Sequence, residues 1–414
     1  MKGYILRIKK FKSFSRLEIA LVDQTKKIFV NTTKLFKILD LIDIDSQKLI
    51  ATSSLPLPFN RNDLTLSEDI KEKYKYLYFK FFPEKLSVFF ELSRLRVLLS
   101  QYLYKEGFVY IDTPLLVNRN SSEGARLFSV NGFKKEEFFL SQSPQIFKQI
   151  LISSGFGKYF QFSKCFRLEN MREDRVFEFT QIDLELRISS FEQLLLLAKK
   201  ILKKISKILK EKISFIEYDY TTFFSLFPSE KLSFLVPFKI QKGLLILKKK
   251  VSNEQFQKFI SLFEKKANIK KEVVLKQIFL KKELLSINIS FLKETSSFRL
   301  LHFFEEKKGK NICLILKRFP PEETSIFIKP EYSFDFVLNG EEICSGGLRD
   351  LDPKNFENKE ELDFFKNFLS FSTPSHGGFA FGLERIFLGL RKVTSLKELF
   401  FFPKSKKGKS FIEQ

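Results

Sequence analysis

The 414-residue chain contains no tryptophan, two histidines, two methionines and three cysteines. Cys165, Cys313 and Cys344 stand far apart, which excludes a paired disulfide framework or a zinc knuckle of close spacing and fits a reduced, cytoplasmic setting. No apolar run approaches the roughly 18 charge-free residues a membrane helix needs. The opening MKGYILRIKKFKSF mixes basic with apolar residues and has no small-residue cleavage site, so a secretory signal is not expected. Acidic residues are also scarce: 49 against 72 basic ones, a net charge of +23. That excess makes a phosphate backbone a natural partner. Biased codon usage accounts equally well for lysine-rich text with 53 phenylalanines, so the charge permits RNA binding without proving it.

Residues 161–186, QFSKCFRLENMREDRVFEFTQIDLEL, organise the rest. Two alternating stretches flank a charged loop, the pattern of two antiparallel strands. The loop carries Arg167, Arg172 and Arg175 against Glu169, Glu173, Asp174 and Glu178. Taken alone, it reads equally well as a solvated turn or as a grip for a polyphosphate.

Before this stretch, short β-like runs at Tyr4 to Ile8, Leu17 to Val22, Lys27 to Val30 and Lys48 to Thr52 point to a small OB-type barrel. Thr33 to Leu41 reads as helical, and little room is left after Asp40 for closing strands. Leu55-Pro56-Leu57-Pro58 ends the unit in an extended linker. Helical spacing runs from Glu84 to Glu106 and stops at Gly107, and the strand FVYIDTPLL ends at Pro114. Ser190 with Gln193 opens an amphipathic helix to about Lys212. Residues 216 to about 320 assign no chemistry.

Phe166-Arg167-x-Glu169 followed by Glu178-Phe-Thr-Gln-Ile-Asp183 resembles the second motif of class II aminoacyl-tRNA synthetases, and among them the bacterial-type aspartyl enzymes. The helix, strand and proline of residues 84–114 resemble the first motif, and GFAFGLERIFLGL resembles the third. The resemblance implies an α+β fold: a class II antiparallel sheet flanked by helices, preceded by a small OB-like barrel. The expected organisation is an anticodon-binding domain at 1–58, a hinge at 59–83, catalytic halves at 84–215 and 326–404 around a shortened insertion at 216–325, and a basic tail at 405–414. It further implies a cytoplasmic homodimer that uses ATP and magnesium to activate L-aspartate and transfers it to tRNA-Asp, with tRNA-Asn as a second acceptor where anticodon reading is relaxed.

The resemblance also assigns residues. Arg167 would bridge the α-carboxylate and the α-phosphate, and Arg385 would hold the γ-phosphate of a bent ATP. Leu168, Glu169, Glu342, Gly382, Leu383 and Glu384 complete the expected ATP set. In FDFVLNGEEICSGGLRD, Asp335 and Glu342 correspond to magnesium ligands. Their spacing would set them on opposite faces of one straight strand, whereas two strands joined at Asn339-Gly340 can bring them together. Arg349 corresponds to the fork on the substrate β-carboxylate, with Gly346-Gly347 leaving room for a small ligand. In SQSPQIFKQ, Ser143, Gln145, Ile146, Phe147 and Lys148 match the amino-acid-binding segment, Lys148 being the second cation on that carboxylate. Glu123 and Asp183, with Gln145, would hold the ammonium.

Two departures stand out. RFPPEETSIFIKP lacks the paired histidines that bacterial relatives place before the magnesium strand, and Val176 replaces a glutamine that contacts ATP. Of the two histidines, His302 lies in unassigned text, and His376 reads as a structural turn residue. Two other functions share parts of the pattern: an enzyme that adenylates aspartate and amidates it with ammonia, and a catalytically dead tRNA-binding relative. The basic N-terminal unit argues against the first, and intact Arg167, Asp335, Glu342, Arg349 and Arg385 against the second.

Overall fold

A computed structural model describes residues 1–59, 68–118, 126–132, 136–169, 175–226, 238–241, 244–247, 278–281, 284–288, 311–339, 341–356, 362–391, 393 and 395–404. Glu123, Arg172, Glu173, Asp174, His302, Gly340 and the basic tail lie outside the described residues. The chain separates into two compact units, Met1–Leu98 with Lys397–Gln414, and Leu99–Leu396.

The first unit is built on a five-stranded antiparallel sheet. Its strands are β1 (Lys2–Lys10), β2 (Ser15–Leu21), β3 (Lys27–Thr32), β4 (Leu41–Asp43) and β5 (Lys48–Ala51), in the order β3-β2-β1-β4-β5. Five strands with β1 central form the meander and return pair of an OB-type barrel. One side of the alternation buries Ile5, Leu17, Ile19 and Ile42 together. Two expectations fail here. Closing strands do fit after Asp40, where β4 is added to β5 on the expected run from Lys48, and Thr33 to Leu41 is not helical. Asp40 explains both. Its carboxylate accepts from the Lys37 amide at 2.7 Å and from the Thr52 hydroxyl at 2.6 Å, competing with helix for backbone donors and tying the turn to the segment after β5.

Two short helices follow, α1 (Glu68–Lys73) and α2 (Lys75–Phe81). Lys75, 7% exposed, donates to Glu72 at 3.1 Å and to the Lys397 carbonyl at 3.1 Å, fastening the C-terminal segment to this unit. Helix α3 (Ser87–Lys105) buries Leu95, Leu99 and Leu103 along one stripe. Gly107 ends it at φ +82°, a left-handed value suited to glycine.

The second unit is organised by an eight-stranded sheet with mixed edges. In chain order its strands are β6 (Val109–Tyr110), β10 (Lys158–Phe166), β11 (Glu178–Arg187), β12 (Ile213–Asp219), β17 (Asn311–Lys317), β18 (Ile328–Leu338), β19 (Glu341–Arg349) and β20 (His376–Gly382). Across the sheet they run β12-β17-β18-β19-β20-β11-β10-β6, antiparallel except for the two edge pairs. The strand expected through Pro114 shrinks to β6. The Thr113 hydroxyl is taken by Gln161 at 2.9 Å, and Pro114 has no N–H to offer a ladder.

Two small sheets accompany the large one: β7 (Leu116–Val117), β9 (Glu137–Leu140) and β8 (Ser129–Asn131), and a four-stranded set, β13 (Phe238–Gln241), β14 (Leu244–Leu247), β16 (Leu284–Asn288) and β15 (Ile278–Lys281). The remaining α-helices among the described residues are α4 (Gln145–Ser153), α5 (Phe191–Ile208), α6 (Tyr220–Leu226), α7 (Asp363–Leu369) and α8 (Leu383–Arg391). Ser190 caps α5 by accepting from the Gln193 amide at 3.3 Å, as the spacing predicts, and the helix ends four residues before the expected Lys212.

Side-chain alternation on β11 divides the sheet into two faces. Ile182, Leu184 and Leu186 point one way, Gln181, Asp183 and Glu185 the other. Helix α5 packs on the apolar side: a Cβ at Gly377, which pairs with Leu186, would meet Leu194. Helix α4 lies over the polar side, where Lys148 reaches Asp183.

Candidate active site

The polar face of β11 would be unstable alone, since buried carboxylates must be paired. Partners come from α4 and β19. Lys148 Nζ donates to Asp183 at 3.0 Å and lies 3.6 Å from Glu185. The Arg349 guanidinium meets Glu185 side-on, with Nε and Nη2 each at 2.7 Å from one carboxylate oxygen. All four side chains are at most 3% exposed. Burial pushes the Glu185 carboxyl up, but Arg349 and then Lys148 outweigh it and hold the group below the ordinary carboxylate range.

This array adds to the sequence reading in two ways. Cations and anions do not occupy separate ends: each of Lys148 and Arg349 is already seated on a carboxylate. Glu185, the centre of the array, was not among the candidates, although a second acid two residues after Asp183 on a strand is the signal that finds it.

Register places the other expected groups on the same face. Asp335 pairs with Ser345, Ser345 with Ala380, Ala380 with Asp183 and Asp183 with Gln161, a continuous row across five strands. A register shift between Phe336 and Val337 then sets Glu342 opposite Val337. Without that bulge Glu342 would oppose Leu338 and face the apolar side; with it, Glu342 joins Asp335. The two carboxylates anticipated as metal ligands therefore share one face, Asp335 half-buried and Glu342 exposed. Arg385, on the first turn of α8, donates to the Glu342 carbonyl at 3.0 Å and stands 4.0 Å from its carboxylate. Arg167, half-buried just beyond β10, lays its guanidinium over the Phe179 ring at 5.3 Å, and its amide donates to the Phe177 carbonyl at 2.9 Å.

Between β11 and β19, strand β20 brings His376 to this face at its start and then only Gly378, Ala380 and Gly382, leaving the floor shallow beyond the histidine. Gly378 is required by the array itself, because a Cβ there would overlap the Glu185 carboxylate. Gly346 and Gly347 do not leave room for a ligand as expected. A Cβ on Gly346 would strike Phe379, and one on Gly347 the Tyr332 carbonyl, so neighbouring strands already use the space. At Gly382 a Cβ would meet only the Arg385 side chain at ordinary distance, so packing does not demand glycine there.

Other candidates turn inward. Leu383 is fully buried, and Glu384, 5% exposed, accepts from the Thr180 amide at 3.0 Å, its carboxyl pushed up by burial. The Glu384 side chain thereby fastens α8 to β11. Ile146 packs against the cluster of Phe327, Phe356, Leu362 and Phe365. The Ser143 hydroxyl accepts from the Gln145 amide at 3.2 Å, opening α4, and Phe147 is half-buried. Gln145 has its side-chain nitrogen buried with no hydrogen-bond partner among the described residues. Leu168 is 38% exposed and Glu169 pairs with Arg175. His376 is buried at the turn into β20, in keeping with a structural place.

A family model for class II tRNA synthetases (D, K and N) matches residues 67–406. The chain belongs to that family. It is a class II aminoacyl-tRNA synthetase, a ligase. Among curated relatives it is 28% identical to an aspartate–tRNA(Asp/Asn) ligase of Campylobacter concisus, over 88% of this chain and 79% of that protein. It is also 28% identical to an aspartate–tRNA ligase of Thermosipho melanesiensis, over 89% and 78%. Among solved structures, asparaginyl-tRNA synthetase of Pyrococcus horikoshii in complex with asparaginyl-adenylate superposes with a TM-score of 0.66 at 15% identity, covering 98% of this chain and 94% of that one. The synthetase for the same amino acid from Entamoeba histolytica gives 0.62 at 15% identity, over 98% and 94%. At that identity the likeness carries the fold and not the substrate.

Proposed function

We propose that this synthetase activates L-aspartate with ATP and transfers it to tRNA-Asp, and that tRNA-Asn is a second acceptor. The buried array of Lys148, Asp183, Glu185 and Arg349 carries the reading. Glu185 takes Nε and Nη2 of Arg349 and fixes the plane of the guanidinium, leaving Nη1 for a substrate carboxylate. Lys148 supplies a second charge from α4. Asp183 and Gln145 border the same space and suit an ammonium and a carboxylate. An amide substrate would leave the two cations without added negative charge, and sites built on such polar contacts discriminate by about 10⁴-fold.

Arg167 and Arg385 neutralise the phosphate end, where activation needs charge compensation as the carboxylate attacks the α-phosphorus and pyrophosphate departs. Asp335 and Glu342 form a hard-oxygen pair on an open part of the same face, a donor set that fits magnesium shared with phosphates. The ion would supply further neutralisation of the triphosphate. Two arginines, one on each side of the face, orient the reacting groups.

For the acceptor, the first unit offers an exposed aromatic and basic surface on β2 and β3, the strands through which OB-type barrels bind oligonucleotides. Phe29 is 61% exposed with the Arg16 guanidinium 4.7 Å above its ring, and Phe11 and Phe14 stack at 4.7 Å on the β1–β2 turn. The Campylobacter relative's name includes both tRNAs, which supports the dual acceptor. A homodimer through residues 84–114 and a cytoplasmic location complete the proposal. No described helix is long and apolar enough to cross a membrane.

Attachment of labelled aspartate to tRNA-Asp and tRNA-Asn transcripts, beside an adenylate assay without tRNA, tests this. Charging of both transcripts is expected. Adenylate formation with transfer only to ammonia would favour the amidating enzyme, and absence of adenylate would defeat the reading.

A further inference from the structure

His376 opens β20 and is 1% exposed. Its Nδ1 lies 2.7 Å from the Pro374 carbonyl oxygen, which can only accept, so Nδ1 carries a proton. Nε2 faces the Gln149 side-chain oxygen at 3.2 Å, and the Gln149 side-chain nitrogen donates to the Gln145 carbonyl at 3.3 Å. Gln149 is itself fully buried. A neutral ring protonated at Nδ1 presents only a lone pair at Nε2, and here that lone pair meets an oxygen. Two arrangements remove the conflict. A charged ring donates Nε2–H to Gln149, preserving the chain to Gln145; or the Gln149 amide reverses, turning its oxygen against the Gln145 carbonyl.

The groups around the ring decide between them. Burial lowers the imidazole pKa most, Glu185 on β11 favours the charged form, and Arg349 on β19 and Lys148 on α4 oppose it. Arg187, directly across in register on β11, is exposed to solvent. A dicarboxylate seated on Lys148 and Arg349 offsets the two cations that oppose the charge. We propose that His376 is a positioning residue that takes up a proton as the amino-acid substrate binds, and thereby fixes Gln149 and the first turn of α4 with Gln145 and Lys148. The proposal rests on the reading that Lys148 and Arg349 hold the substrate carboxylate.

Calorimetric titration of the full chain with aspartate, in two buffers of equal pH and different ionisation enthalpy, measures the proton directly. The wild type takes up protons near pH 7.5, and its KM for aspartate rises toward alkaline pH by up to about tenfold per unit, the limit for one linked proton. His376→Asn abolishes both the uptake and the slope, with folding checked by circular dichroism. Gln149→Glu holds the ring charged with or without substrate, so uptake and the pH slope both vanish, while KM is raised at every pH because a carboxylate cannot donate to the Gln145 carbonyl. Aspartate binding without proton uptake in the wild type, or unchanged uptake in His376→Asn, overturns the proposal alone. Failure of aspartate to bind overturns the substrate reading and this proposal with it.

Discussion

The two ends of the candidate site are built on different terms. At the amino-acid end, Lys148, Asp183, Glu185 and Arg349 are buried and already paired with one another, so the ligand's contacts are set before it arrives. At the proposed phosphate end, Arg167 and Asp335 are half-buried and Glu342 is exposed, and the Arg385 guanidinium is held by the Glu342 carbonyl and the nearby Glu342 carboxylate. Preorganised polar groups in a dry setting give selectivity, because a mismatched ligand strands them. Solvated groups recruited by the ligand give affinity and charge compensation, with less power to discriminate. Under the proposed function, selection among amino acids and attraction of a triphosphate would fall on separate parts of one sheet face.

The contrast is sharpest at Arg349. Arg349→Lys keeps the charge and loses the fork on Glu185; aspartate-dependent adenylate formation should fall by about 10³–10⁴-fold in kcat/KM, with the KM for ATP changed far less. Comparable losses in both substrates would erase the division. Glu185→Gln strips the array of its central acid and leaves two buried cations facing one carboxylate, a defect costing about 3–5 kcal/mol in urea unfolding.

The same variant tests the pH dependence. Glu185 has its pKa held below the ordinary value of 4.5, so its contribution to stability is complete above that pH and disappears as pH falls through the folded value. The acid limb of a stability profile should be shallower in Glu185→Gln.

At the open end, Arg167→Ala should lower kcat for adenylate formation by about 10²–10³-fold while leaving stability within about 0.5 kcal/mol of wild type. A large loss of stability would place Arg167 with the buried group. The smallest effect belongs to the first unit. Phe29→Ala should weaken tRNA binding by about 1–3 kcal/mol, the worth of one stacked base, and leave the tRNA-free adenylate assay unchanged.

Local pattern carried much of the architecture. Alternation across residues 161–186 located β10 and β11, and the Ser190 cap located the start of α5, because both depend on neighbours within a few residues. The helix read at Thr33 to Leu41 failed because its apolar spacing was outweighed by one side chain: Asp40 ties that turn to Thr52. The inward packing of Leu383 and Glu384 was hidden for a related reason. A strand-to-helix junction looks the same in sequence whether its side chains face a ligand or, as here, the Thr180 amide and the core.

Sequence by itself determined the order of the motifs, the inventory of charged residues they carry, and the strands that bear them. Only tertiary structure decided how that inventory is joined. Glu185 and Arg349 are 164 positions apart, and nothing local tells that they form one ion pair. The bulge beside Val337 that turns Glu342 toward Asp335 is a property of two strands in register, and the crowding at Gly346, Gly347 and Gly378 exists only once β18, β19, β20 and β11 lie side by side. Conformational preference is local, whereas pairing of buried charge and steric exclusion act between groups that the chain brings together only by folding.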